Sequence, residues 1–269
     1  MLQSSGRLEL ANQIGAEPLS RQPVSSRGQK PVEPAQKPTL ICVGAQKGGV
    51  GKTTTARLLM HWLDETRRSH VAFDSEYPQG SLKRFYPDQT QIVDIAEVAD
   101  QMRIFDGLAA ARDNSVFVLD LRAGYFFDIL DKFDDLMIFR EARDGAFNLM
   151  FLHVMGGSVE SIEEVRASLP RFDGARHVVV RNPANGADLT QWDESDVRVT
   201  FERQGGMELK IAPLHPLAYG AIDQASATFR DFAENKLPNG SAADFSYTLR
   251  AYTKNWLIHS MIQVDRLKI

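Results

Sequence analysis

Eight consecutive residues, Lys47-Gly48-Gly49-Val50-Gly51-Lys52-Thr53-Thr54, have the types and order needed to hold a polyphosphate. Glycines let a main chain approach an anion closely and adopt positive φ, so Gly48, Gly49 and Gly51 can wrap backbone N–H groups around phosphate oxygens. A lysine at the end of such a loop reaches the terminal phosphates and the next hydroxyl ligates a metal ion, which assigns Lys52 and Thr53 to those tasks. The expected ligands are ATP and Mg2+, with Val50 and Thr54 completing the grip. The common pattern G-x-x-x-x-G-K-[ST] does not quite fit, because Gln46 stands at its first glycine and a second lysine, Lys47, opens the loop.

Two aspartates and one asparagine stand where they could serve the same ligand. Asp74 ends the short apolar run from His70, at the strand edge where ligands bind in doubly wound sheets; it could also simply cap the turn that follows. Asp120 ends the strongest apolar run, Val116-Phe117-Val118-Leu119, where an acid can hold the shell of Mg2+. Asn182 follows the run His177 to Val180, and its amide can both donate to and accept from a base edge, or can serve as a turn residue. His153 lies inside an apolar run and reads as a core or edge histidine. No His, Cys and carboxylate cluster has zinc spacing.

These residues need a scaffold, and the apolar pattern supplies one. Thr39-Leu40-Ile41-Cys42-Val43 is a continuous apolar run ending in glycines, as in a strand buried on both faces. A helix over 52–67 follows the loop, with Ala56, Leu59 and Leu63 on one face. Further strands are expected at 70–74, 91–95, 115–120, 149–155 and 176–181. Two more, at 197–201 and 208–211, could flank a turn at Gly205-Gly206. Helices are expected at 96–112, 126–133, 140–147, 158–169 (with Ser158 as N-cap), 218–234 and 242–264. Strands alternating with helices predict a doubly wound, mostly parallel sheet with helices on both faces.

The bulk properties set limits. The chain has 269 residues, 43% hydrophobic and 25% charged, and suits one large α/β domain at 38–269. Residues 1–37 are poor in large apolar groups and rich in Ser, Gln and Pro, and so read as a flexible tail. A net charge of -4 gives no global sign of a nucleic-acid binder. The lone cysteine, Cys42, cannot form an internal disulfide. No stretch reaches the ~18 apolar residues of a membrane span, and the first sixteen residues lack the apolar core of a signal peptide, so a cytoplasmic location is expected.

The run Gln46 to Thr54 resembles the deviant Walker A loop of the ParA/MinD family of P-loop ATPases, and its QKGGVGKTT wording is closest to ParA-type ATPases. The resemblance implies a P-loop NTPase fold, slow ATP hydrolysis and an ATP-dependent sandwich homodimer. It implies that Lys47 reaches the partner's nucleotide, as an arginine finger does. Asp74-Ser75-Glu76-Tyr77-Pro78-Gln79-Gly80 resembles the family's DxDPQG segment with one residue inserted. By that resemblance Asp74 positions the attacking water, and Glu76 stands in for a second aspartate. After Asp120 the family usually reads D-x-x-P, but here the order is Asp120-Leu121-Arg122-Ala123-Gly124, with an arginine and no proline. Asn182 is implied in adenine recognition. Such proteins position DNA or other cargo with a protein partner that stimulates hydrolysis.

The same residues leave other readings open. One is an ATP-dependent synthetase or kinase on the same fold, with a small acceptor beside the terminal phosphate. Another is a weakly hydrolysing adaptor of a secretion or conjugation system. Near the C-terminus Phe245, Leu249, Tyr252 and Trp256 form one apolar helix face. Arg250, Lys254, Arg266 and Lys268 are scattered among acids, which supports a solvated face more than non-specific DNA binding. The last residues lack a strong basic amphipathic pattern, which speaks against a membrane anchor.

Overall fold

The computed structural model describes residues 37–183 and 188–269. The tail expected at 1–37 lies outside the described residues except for Lys37.

Thr39–Gly44 forms β1, and Lys52–Glu65 forms α1 directly after the glycine loop. His70–Asp74 is β2 and Thr90–Ile92 is β3, shorter than the run over 91–95 suggests. Val98–Ala110 is α2 and Val116–Asp120 is β4. Phe126–Asp135 and Ile138–Arg143 are α3 and α4, and Asn148–Met155 is β5. Val159–Ser168 is α5 and Arg176–Arg181 is β6. Thr190–Asp193 and Asp196–Arg203 are α6 and α7, and Met207–Lys210 is β7. Pro216–Ala225, Phe229–Ala233 and Tyr247–Asp265 are α8, α9 and α10.

The seven strands form one sheet in the order β3-β2-β4-β1-β5-β6-β7, with every pairing parallel. The doubly wound parallel sheet expected from the sequence is present. Alternate residues of β1 feed separate layers. Ile41 and Val43 pack with residues of α1, α8, α9 and α10, whereas Leu40 and Cys42 pack with residues of α2, α3 and α4. That two-sided burial is why β1 reads as an unbroken apolar run. From β1 the chain crosses to β2 on one side of the sheet, and later strands β5, β6 and β7 build the other side. The carboxyl ends of β1 and β4 therefore lie at the switch point, where a crevice opens.

Three expected elements differ. Residues 197–201 are not a strand but part of α7. The alternation Val197-Arg198-Val199-Thr200-Phe201 suits a strand, but Ser195 caps a helix by accepting the N–H of Arg198 at 3.1 Å. Val197 and Phe201, four apart, then bury together while Val199 stays 46% exposed. The helix expected over 218–234 is two, because Ser226 turns left-handed (φ 50°) and Thr228 caps a new start by accepting from Asp231 N–H. The last helix begins at Tyr247 rather than 242, capped by Ser246. Among the described residues no helix is long and apolar enough to cross a membrane.

Candidate functional site

The glycine loop turns from β1 into α1 through Gly51, which takes φ 101°. A side chain there would be strained by the backbone angle and would collide with the Asn182 amide. The first turn of α1 carries no acid of its own, which leaves its amides open to an anion. In front of it lies a cleft of about 350 Å3 lined by Gly48, Gly49, Gly51, Lys52, Thr53 and Thr54. The tips of β2 and β4 contribute Asp74 and Asp120 to the same wall, and Glu76, Ser81, Arg122 and Tyr219 complete much of the rest.

Lys52 is 9% exposed and donates from Nζ to the carbonyl of Lys47 at 2.9 Å. Burial pulls its pKa down, and the charges of Asp120, Glu164 and Glu76 hold against that pull. Thr53 Oγ1 lies 2.8 Å from Ser81 Oγ, and Thr54 Oγ1 lies 3.1 Å from the Tyr219 hydroxyl. Lys47 is exposed at the mouth of the loop and does not line the cleft. Among the described residues no acid pairs with its ammonium.

The two aspartates sit side by side, since Asp74 and Asp120 are register partners in β2 and β4. Asp74 is tied down: Oδ1 accepts the N–H of Glu76 at 3.0 Å, and Oδ2 accepts those of Leu82 (2.6 Å) and Lys83 (3.0 Å). Gly80 keeps this loop close, because a Cβ there would stand 2.9 Å from Oδ2 at φ 70°. Asp74 thus organises the loop over 75–83 while lining the cleft. Asp120 is as deeply buried, yet neither of its oxygens has a hydrogen bond of good geometry. Burial raises its pKa to about 8; negative Asp74 adds to the rise, and nearby Thr53 and Lys52 oppose it.

A buried carboxylate without partners is costly unless a cation or proton compensates it. The Asp120 oxygens beside a threonine hydroxyl and a lysine fit a hard divalent cation such as Mg2+. Among the described residues no three His, Cys, Asp or Glu side chains are grouped to hold a metal by themselves. A cation here would take its other ligands from phosphate and water.

Asn182 lies elsewhere than an open base-reading position. Its side chain is buried and donates from Nδ2 to the Val50 carbonyl at 3.1 Å, so it braces the loop from beneath. The structure brings Lys52, Thr53, Asp74 and Asp120 together and leaves Lys47 at the rim.

Several participants have no local signature in the sequence. Glu164 is buried against the loop and accepts the Gln46 N–H at 2.6 Å; burial lifts its pKa to about 7, opposed by that hydrogen bond and by Lys52. Its signal was an acid on the buried face of α5 with Ser161, Val165 and Ser168, since such a carboxylate needs a partner. Ser158 does precede α5 but its hydroxyl makes no cap bond. Tyr219 comes from α8, 165 positions beyond Thr54. Ser75 joins the β2 and β4 tips by donating from N and Oγ to the Asp120 carbonyl at 3.0 and 3.2 Å.

An all-parallel sheet with a glycine loop at its switch point, a buried lysine and a hydroxyl on the following helix define a class, the phosphate-loop NTPase fold. Residues 41–249 match the family model described as the CobQ/CobB/MinD/ParA nucleotide binding domain, and the chain belongs to that family. Among curated proteins none matches the chain. Among solved structures, the chain is similar to the MinD cell division protein of Aquifex aeolicus at 12% identity and TM-score 0.44, over 81% of this chain and 95% of that one. It is also similar to a nucleotide-binding protein from Archaeoglobus fulgidus in complex with ADP, at 15% identity and TM-score 0.43, over 69% of this chain and 85% of that one.

Proposed function

We propose that this protein is a ParA/MinD-like ATPase that binds Mg·ATP in the cleft before α1, closes into a homodimer and resets by slow hydrolysis. The observation that carries the reading is the set of groups gathered at the loop: Asp120 is buried without a well-aligned hydrogen bond, Lys52 donates to the Lys47 carbonyl of its own loop, and Lys47 stands exposed at the rim.

Each residue then has a task. The amides from Gly48 to Thr54 face the phosphates, and Lys52 exchanges the Lys47 carbonyl for a phosphate oxygen. Thr53 and Asp120 would hold Mg2+, which would supply charge neutralisation for the phosphates. Asp74, fixed by three amides, has one acceptor site left to orient water from the edge of the cleft. Asn182 stands behind the loop and braces it through the Val50 carbonyl. Lys47 reaches across to the nucleotide of a partner subunit, offsetting charge that builds on the transferred group. The closed dimer is the form that engages a protein partner, which stimulates hydrolysis, and the cargo.

Sedimentation with and without Mg·ATP tests this. Wild type should dimerise with Mg·ATP, and Lys47→Ala should bind ATP yet stay monomeric. Normal dimers of Lys47→Ala would remove that lysine from the interface.

A further inference from the structure

The loop leaving β4 contributes more than Asp120 to the cleft, because Arg122 lines it too. Its main chain is pinned on both sides. Arg122 N–H donates to Ser75 Oγ at 2.9 Å. Gly124 N–H donates to the Gln46 carbonyl at 2.9 Å, and Phe126 N–H donates to Gln46 Oε1 at 3.0 Å. The loop is thereby fastened to the tip of β2 and to Gln46, the residue before the glycine loop. The Arg122 guanidinium rests 3.4 Å above the Tyr125 ring. Among the described residues no carboxylate pairs with it, whereas Arg143, Arg166, Arg171, Arg181 and Arg198 all pair with acids.

The charge balance of the cleft gives this arginine a purpose. Its lining holds the acids Asp74, Glu76 and Asp120 beside two cations, Lys52 and Arg122. A nucleoside triphosphate remains anionic even with a divalent cation, and Arg122 adds a second cation to Lys52 in the wall that would face it. Position decides which phosphate Arg122 meets. It lies two residues beyond Asp120, and the adjacent Ala123 faces Gly48, whose Cβ would be 3.8 Å away. Arg122 thus shares the loop after β4 with Asp120 and lies against the start of the glycine loop. A guanidinium stacked on a ring presents its N–H fork with little further ordering, and the fork matches phosphate oxygens two at a time.

Resting on the triphosphate reading above, we propose that Arg122 contacts the terminal phosphoryl group and lets a single protomer distinguish ATP from ADP. This discrimination precedes any contribution from a partner's lysine. Tyr125 is a positioning residue that holds the fork.

Calorimetric titration of the full chain with Mg·ATP and with Mg·ADP tests it. Arg122→Ala should weaken ATP binding by about tenfold, the scale of a lost charge-assisted hydrogen bond, and leave ADP affinity unchanged. Arg122→Lys should remain weak for ATP, since an ammonium supplies charge without the planar fork. Tyr125→Leu should give a smaller loss, again confined to ATP. Thermal melts of each variant confirm that it folds. Equal losses for the two nucleotides, or no loss for either, overturn the proposal. If wild type binds neither nucleotide, the triphosphate reading fails and takes this one with it. If wild type binds both and Arg122→Ala changes nothing, only the arginine's role falls.

Discussion

Asp74 and Asp120 are register partners on neighbouring strands, equally buried, and opposite in their bonding. Three amides of the following loop satisfy Asp74, and no well-aligned donor satisfies Asp120. Asp74 is held by the loop that follows it, and Asp120 carries a burial cost that a cation or a proton can offset. Position on a strand tip marks both as candidates, and only their hydrogen bonds tell the two apart.

The comparison breaks most readily in nucleotide binding. Lys52→Ala should abolish Mg·ATP binding, because it removes the cation in contact with the loop; retained micromolar affinity would sink the loop assignment. Asp120→Asn should erase the gain in ATP affinity given by Mg2+ while leaving metal-free binding in place. Asp74→Asn should keep that gain. Equal behaviour of the two variants would dissolve the distinction.

Stability gives the reverse order. Asp74→Ala strands three amides and should cost about 3 kcal/mol in urea unfolding, whereas Asp120→Asn should cost nothing or stabilise. The sign of the pH effect follows from the raised pKa. A carboxyl that titrates at about 8 folded and at about 4 unfolded binds its proton better in the folded state. Its contribution is full below pH ~4 and is lost as pH rises toward ~8. The stability of wild type relative to Asp120→Asn should therefore fall across that window. The buried histidines titrate in both proteins and cancel in the difference. A flat difference would mean that Asp120 is compensated without ligand. The smallest effect is expected for Ser75→Ala, about 1 kcal/mol, from loosening the join between the two strand tips.

Much of this was legible in the sequence wherever the signal is local. The glycine loop, Lys52 and Thr53 follow one another, and the apolar runs before them and before Asp120 belong to strands buried on both faces. The helix α7 was hidden because Val197, Val199 and Phe201 alternate as a strand would; the Ser195 cap and the pairing of Val197 with Phe201 prevailed. Glu164, Ser81 and Tyr219 reach the site from distant elements, and no spacing announces a meeting set by tertiary packing. Arg122 was visible as a departure from the family pattern, but its place in the cleft needed the pinned loop.

The central claim is that the cleft at the tips of β1, β2 and β4 binds Mg·ATP through Lys52, Thr53 and Asp120. Titration calorimetry of wild type and Lys52→Ala with ATP, each with and without Mg2+, tests it most directly. Wild type should bind, more tightly with Mg2+, and Lys52→Ala should give no heat above dilution. Matching isotherms for the two proteins would contradict the account.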